Sequence, residues 1–343
     1  MRVLFITHEL ALNGAVTALL AQTRALIAAG EQVSVLTPPL MGPAAALRKT
    51  FLAAGARLIS KAEAREHDVA VGCTILAADA LARLVGHLPV VWWIHEGAIG
   101  VQYMMANPGA YQLLDRVNRL VFPSRGTVDH VWAVLLSPLP PGRVEVIPAL
   151  VSPPVPGVAA EKAAGRVRVL CVGSIYPRKR QADLLAAIVA LGPSAPVECV
   201  LAGERVMLEH AAQSLLTAHA NRFVLTGGLT PTALQTFYRS ADIFVLPSSD
   251  ESMPIAPIEA ASHGIPVILS DLSCYDGVWR HGVNTLLYPV GDVELLTWSL
   301  RMLIDSPGLR VRLGTAGRTL AARFGPARTT ALFAAMLAEV IAG

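Results

Sequence analysis

Two glutamates, Glu251 and Glu259, stand eight positions apart in the stretch DESMPIAPIEAASHG, Asp250 to Gly264. The run before it, ADIFVLPSS, and the run after it, IPVILS, each read as a buried strand of a parallel sheet, because their apolar residues are continuous rather than alternating. In open α/β sheets, ligands bind in the crevice beyond the carboxyl ends of the strands, which is where Glu251 falls. A carboxylate there can accept two hydroxyl donors. Pro257 suits the first turn of a helix and Gly264 its stop, so a helix is expected over 257–263 with Glu259 in its first turn. The peptide N–H groups between 252 and 258 would then point out of the helix start as an anion site. A plainer reading is also open, in which Glu259 complements its helix dipole and Glu251 is a solvated loop charge. A capping box would need Ser or Thr where Ala256 stands.

The elements that must hold these residues follow from the periodicity. Strand-like runs are RVLFIT, QVSVLT, ARLIS, DVAVGC, VVWWIH, RLVFPS and VEVIPA in the first half, then VRVLCVG, VECVLAG, RFVLTG, DIFVLPS and PVILS in the second. Helical runs lie near 14–29, 180–191 and 231–240, and a last one, PARTTALFAAMLAEVIA, follows the Gly325-Pro326 break. Alternating strands and helices predict parallel doubly wound sheets, and two such series predict an α/β chain of two Rossmann-like domains. The Pro-, Ala- and Gly-rich ALVSPPVPGVAAEKAAG between them reads as a linker.

Composition excludes several classes. The chain has 343 residues, enough for two cores of ordinary size, and 53% of them are hydrophobic. Mean hydropathy is +0.51, yet no window holds eighteen uninterrupted apolar residues, so a transmembrane helix is not expected. The apolar run after Arg2 is too short for a signal-peptide core and suits a first strand. The cysteines (Cys73, Cys171, Cys199, Cys274) are far apart, which suits buried thiols in a cytoplasmic protein. A net charge of +3 is too small and dispersed to argue for nucleic acid. Basic residues comprise four Lys against twenty-four Arg, so each Lys kept is a position of interest. No GxGxxG follows a strand, which disfavours a dinucleotide dehydrogenase.

With those residues in view, the chain resembles the family 4 retaining glycosyltransferases of the GT-B fold. The resemblance covers nearly its whole length and is most specific in FVLPSSDESMPIAPIEAASHGIPVILSD, where Glu251 and Glu259 match the family's E-x7-E. It implies two Rossmann-like domains facing a central cleft. An acceptor-side domain would span 1–152 and a donor domain 166–325, with a helix at 326–343 crossing back to the first. By similarity, Glu259 would hold ribose hydroxyls and Glu251 hydroxyls of the donor sugar. Ser252, Met253, Pro254, Ile255 and Ala256 would lie near the diphosphate and sugar. The segment CVGSIYPRKRQADLL, with Gly173, resembles the family's G-R-x-x-x-x-K and sets Lys179 against the diphosphate, where charge gathers as the nucleotide departs. Ser174 stands in place of the family's arginine, and Arg178 or Arg180 is the candidate replacement. A solvated basic loop is the other reading of this segment. HELALNGAVTALL resembles the glycine-rich first loop, with Asn13-Gly14 for Gly-Gly. His95 in VVWWIHEGAIG matches a histidine near the reacting carbon, although a lone His at a strand end also serves packing. VFPSRGTVDHV and VEVIPALVS resemble strand-turn segments to which no chemistry is assigned.

The implied function is transfer of a sugar from a nucleoside-diphosphate sugar to a saccharide, lipid-linked or small-molecule acceptor, with retention at the anomeric carbon. The alternatives are an epimerase of the same fold and a non-catalytic sugar-nucleotide-binding partner subunit. No cofactor is expected. No metal is expected either, since no two aspartates stand two positions apart and no His/Asp/Glu cluster replaces them. A cytoplasmic location is implied. The basic segment 43–66, with Arg48, Lys49, Arg57, Lys61 and Arg65 among Leu and Phe, leaves peripheral membrane contact open beside a solvated-face reading.

Overall fold

The computed structural model describes residues 1–10, 13–37, 44–59 and 65–343, with the backbone alone described for 44–46. The chain divides into two compact units. The first comprises Met1–Leu150, Glu251–Met253 and Phe324–Gly343; the second comprises Val151–Asp250 and Pro254–Arg323.

Among the described residues, the first unit holds a seven-stranded sheet in the order β3-β2-β1-β4-β5-β6-β7. Its strands are β1 (Arg2–Thr7), β2 (Gln32–Leu36), β3 (Arg57–Ile59), β4 (Val69–Cys73), β5 (Val90–Trp93), β6 (Arg119–Phe122) and β7 (Val144–Val146). The second unit holds a six-stranded sheet, β10-β9-β8-β11-β12-β13. These strands are β8 (Val167–Val172), β9 (Val197–Ala202), β10 (Phe223–Gly227), β11 (Ile243–Leu246), β12 (Val267–Ser270) and β13 (Leu286–Tyr288). Every pairing is parallel. Strands covered on both faces are largely apolar, and β4 and β9 are buried at every residue; the one charge of β9, Glu198, is paired with Arg168 of β8. In each sheet the strand order reverses once, between β1 and β4 and between β8 and β11, and these are the points where doubly wound sheets open toward ligands.

The helices of the first unit are α1 (Gly14–Ala28), α2 (Ala44–Ala53), α3 (Ala78–Ala82), α4 (Ala98–Ala106), α5 (Pro108–Leu113) and α6 (Ala133–Leu136). The second unit carries α7 (Gln181–Ala190), α8 (His210–Ala218), α9 (Pro231–Ser240), α10 (Ile255–Ser262), α11 (Val293–Asp305) and α12 (Pro307–Ala321). The last helix, α13 (Pro326–Ala342), belongs to the first unit and sets Phe333 against Phe5 and Trp93, with ring centroids 6.2 and 5.1 Å apart. Local chemistry marks the starts. Asn13 caps α1 by accepting from Val16 N–H at 2.9 Å, Thr230 and Pro231 open α9, and Ser306 and Pro307 open α12.

Three expectations change. The helix after the two prolines starts at Ile255, not Pro257, so Glu259 sits beyond its first turn. Proline marks a helix start only loosely: none of the first four N–H groups has an intrahelical partner, so Pro257 costs nothing at the third position either. The short edge strand β13 and helices α2 to α6, α8, α11 and α12 add to the elements read from periodicity. Segment 43–66 contains α2 and β3, and its residues Pro43 and 60–64, Lys61 included, lie outside the described residues. Residues 151–165 are without regular structure but are tied to the second unit. Arg239 donates to the carbonyls of Val155 and Val158, and the buried Arg168 donates to those of Ala160 and Glu161 and to Glu198 at 2.9 Å.

Candidate functional site

In the second unit, the loops after β8 and β11 meet beyond the carboxyl ends of those adjacent strands. Ser249 donates its N–H to the Arg178 carbonyl at 2.9 Å and its hydroxyl to the same oxygen at 3.1 Å, while the Arg178 guanidinium donates to the Asp250 carbonyl. Arg178 also lies over the Tyr176 ring, 5.8 Å from its centroid. Arg180 is in the left-handed region (φ 49°) and grips Asp183 with two hydrogen bonds, 2.7 and 3.2 Å. The guanidinium of Arg180 is therefore turned to the start of α7. Lys179 ends a single turn of 3₁₀ helix, Pro177–Lys179, and its Cε approaches Gly173, whose φ of +145° leaves no easy place for a side chain. A Cβ on Gly203 would stand 2.1 Å from the Gly173 carbonyl oxygen, so the ends of β8 and β9 come as close as they do only because residue 203 is glycine. The Ser174 carbonyl accepts from Gln181 Nε2 at 2.9 Å.

Glu259 rises from α10 in the same unit. Its Oε2 accepts from the Tyr238 hydroxyl of α9 at 2.8 Å. Burial raises the Glu259 carboxyl above its ordinary range, and the Tyr238 hydrogen bond opposes that rise. Tyr238 is 1% exposed, and burial first, then Glu259, holds its phenol well above the usual value. Its ring stacks on His263 at 5.3 Å, and His263 Nε2 pairs with Gln235 Oε1 at 2.9 Å. Burial, with Arg239 and Arg318 nearby, lowers His263 to about 4. The open N–H groups at the start of α10 are those of Ile255 and Ala256, because Pro254 and Pro257 have none.

Glu251, Ser252 and Met253 belong to the first unit and are all buried. The Ser252 hydroxyl donates to the His95 carbonyl at 2.6 Å. The Ser252 carbonyl accepts from Thr127 Oγ1 at 2.7 Å and Ser124 Oγ at 3.1 Å. His95 follows β5, with its ring 4.4 Å from that of Trp93. Among the described residues its buried Nε2 has no hydrogen-bond partner, and burial lowers its pKa to about 4, so the ring is neutral at ordinary pH. Glu96 accepts from the N–H groups of His95 at 3.0 Å and Ile75 at 3.2 Å.

The loop after β1 adds residues that the sequence reading did not single out. His8 Nδ1 lies 3.0 Å from Thr74 Oγ1, and its Nε2 lies 3.3 Å from Glu9 Oε1, which also accepts from Asn13 Nδ2 at 2.8 Å. Thr74 has φ 75°, a strained value for a β-branched residue, beside the switch point of the sheet. Only the position of His8 at a strand end could have flagged it. Gly14 opens α1, and a Cβ there would meet nothing within 4 Å. The structure thus gathers Gly173, Ser174, Lys179 and Arg178 with the second-unit loops, and Glu251 and Ser252 with His95 in the first unit. It assigns Glu251 and Glu259 to different units. Among the described residues, no three His, Cys, Asp or Glu side chains form a metal-binding group, and no helix is long and apolar enough to cross a membrane.

Comparison with known proteins bears directly on this arrangement. The family model for glycosyl transferases group 1 matches residues 159–320, and that for glycosyl-transferase family 4 matches residues 1–135. A D-inositol 3-phosphate glycosyltransferase of Thermobispora bispora is 29% identical over 256 residues, 68% of this chain and 58% of that protein. The lipopolysaccharide core biosynthesis mannosyltransferase LpcC of Rhizobium leguminosarum bv. viciae is 27% identical over 164 residues, 46% of each. The chain thus spans about half the length of these curated relatives. Among solved structures, Anabaena Alr3699/HepE in complex with UDP-glucose superposes with a TM-score of 0.84 at 17% identity, covering 99% of this chain and 100% of that one. Sucrose-phosphate synthase from Thermosynechococcus elongatus gives 0.79 at 18% identity, with 100% of both chains covered. At such identities the likeness is one of fold, and it extends over both parallel sheets. The two family models fall one on each half of the chain, and the protein belongs to the family 4 glycosyltransferases of the GT-B fold.

Proposed function

We propose that the protein transfers a glycosyl unit from a nucleoside-diphosphate sugar to an acceptor hydroxyl, with retention of anomeric configuration. The observation that carries this reading is Glu259. A half-buried carboxylate on the helix that follows β11, a strand of the switch point, with one oxygen on Tyr238, keeps its remaining lone pairs for hydroxyl donors, as the ribose of a nucleotide presents. In this reading Glu259 takes the ribose, while Lys179 and the N–H groups that open α10 take the diphosphate. Glu251 and His95 meet the sugar that is transferred, and the first unit receives the acceptor, whether saccharide, lipid-linked or a small molecule. His95 is neutral there, so it offers a hydrogen bond rather than a charge.

No side chain is placed as a nucleophile in this reading. The departing diphosphate assists attack on the face it leaves, and its growing charge is met by Lys179. The diphosphate is balanced by fixed positive charge and N–H donors, so the reaction proceeds without a metal ion.

The test begins with melting temperatures in the presence of UDP-, GDP- and ADP-sugars, because a ligand that binds only the native state raises the melting point. UDP-glucose leads the panel, being the molecule held by the Anabaena structure. With the donor that stabilises the protein, NMR of the product in excess EDTA reads both remaining points. A product anomeric signal of the donor's configuration, formed at an undiminished rate, is expected. An inverted signal, or activity that returns only with magnesium or manganese, overturns the corresponding statement. Conversion of donor without acceptor would make the protein an epimerase, and donor binding without turnover a partner subunit.

A further inference from the structure

The segment VFPSRGTVDHV carries no assigned chemistry, yet two of its side chains are spent on one peptide 125 or more residues away. Ser124 is 2% exposed and Thr127 fully buried. Thr127 N–H donates to Ser124 Oγ at 3.0 Å, and the two hydroxyl oxygens lie 2.8 Å apart. Both reach the Ser252 carbonyl, and the Ser252 hydroxyl returns to the carbonyl of His95. Ser252 is therefore fixed through both its main chain and its side chain, between the loop after β6 and the loop after β5. The backbone supporting this arrangement is itself unusual. Thr127–Val131 is a turn of π-helix in which Trp132 N–H bonds the Thr127 carbonyl at 2.9 Å, and the Trp132 indole donates to the Glu96 carbonyl at 3.0 Å. Single π turns inside helices recur at functional sites, where they aim a side chain that a regular helix would point elsewhere.

We infer that Ser124 and Thr127 are positioning residues for turnover: they clamp Ser252 and so hold Glu251 in register with His95. The inference rests on the reading of Glu251 and His95 as the residues that meet the donor sugar. The clamp touches neither substrate nor reacting atoms. Its work is to keep a carboxylate on the β11–α10 connection from wandering relative to a histidine that follows β5, since small misplacements at a reacting centre cost large factors in rate. Glu259 is braced instead by the Tyr238 hydroxyl of α9, a bond to which Ser124 and Thr127 contribute nothing. The clamp consequently acts on turnover and leaves nucleotide affinity alone.

The test uses the full chain with Ser124→Ala/Thr127→Val, which removes both hydroxyls at nearly constant volume, beside Thr127→Ser, which keeps one. Hydrogen–deuterium exchange at the amides of 250–253 is expected to quicken about tenfold or more in the double variant and to stay as in the parent in Thr127→Ser. Release of UDP from UDP-glucose is expected to slow about tenfold or more in the double variant, with the calorimetric Kd for UDP within about twofold of the parent. Unchanged exchange at 250–253 overturns the clamp whatever the donor proves to be. An equal loss of rate in the double variant and in Thr127→Ser also overturns it, because the hydroxyl would then be irrelevant. Should the double variant fail to fold, Ser252→Ala removes only the bond to the His95 carbonyl, and the same slower release is expected from it. Glu251→Gln separates the two levels. If it slows release while the clamp variants do not, the clamp alone is wrong. If Glu251→Gln leaves release unchanged, the donor-sugar reading fails and takes the clamp's purpose with it.

Discussion

Glu259 and Glu251 are eight residues apart along the chain and are held in opposite ways. Glu259 stands on a helix and is braced by the neighbouring one: Tyr238 and, through ring stacking, His263 with Gln235, all from a span of about thirty residues. Glu251 stands on a connection whose next residue is fastened by Ser124, Thr127 and the His95 carbonyl, between 125 and 157 positions away. The first carboxylate is part of a local brace that forms whenever α9 and α10 pack. The second depends on chain segments that meet only when the first unit is complete. A single short motif can thus serve two kinds of contact. The nucleotide is proposed to meet the rigid, locally built group, and the sugar to meet the group assembled over long range.

The comparison breaks first if the two glutamates behave alike. Each charge-assisted hydrogen bond is worth roughly 1.5–3 kcal/mol, so loss of two ribose contacts in Glu259→Ala is expected to weaken UDP binding by about 10²- to 10⁴-fold. Glu259→Gln keeps an oxygen for Tyr238 and separates this loss from disruption of the brace. Glu251→Ala is expected to leave the UDP affinity in place and to reduce kcat. Calorimetry showing the same loss of UDP affinity in both variants would remove the distinction.

A smaller effect is expected at Lys179. Its partner charge grows toward the transition state, so Lys179→Ala should lower kcat by about 10²-fold while KM for the donor changes much less. A rise in KM at constant kcat would make Lys179 a ground-state binding residue and shift the leaving-group role to a neighbour.

The smallest effect compares the units through their histidines. His95 in the first and His263 in the second are both lowered to about 4, chiefly by burial, against about 6.5 when unfolded. Between these values the unfolded chain binds protons that the native chain refuses, so stability falls as pH drops from about 6.5 to about 4 and is fully present above that window. Tm measured across the window should decline in the parent and decline less steeply in His263→Gln and in His95→Gln. If both variants follow the parent, other groups carry the acid sensitivity.

Much of the fold was legible from residues alone. Runs such as VAVGC and IFVL are apolar throughout because both faces of a parallel strand are covered, and each predicted run in the two series contains a strand of the corresponding sheet. Caps at Asn13, Thr230 and Ser306 are equally local signals. The glutamate pair was visible through its spacing, its flanking strands and its family resemblance. The start of α10 was misjudged because proline is tolerated throughout a first turn.

What the sequence by itself determined, then, is whatever depends on neighbours a few residues away: strand period, helix caps, and a carboxylate pair set just beyond a strand. Tertiary structure decided which unit each carboxylate joined. It decided too that Tyr238 would brace Glu259, that Ser124 and Thr127 would seize Ser252, and that Gly203 had to lie against Gly173. The physical reason is range. Periodicity and capping are properties of adjacent residues, whereas a hydrogen bond between positions 127 and 252, or a backbone approach that excludes a Cβ, exists only once the sheets have brought distant strand ends side by side.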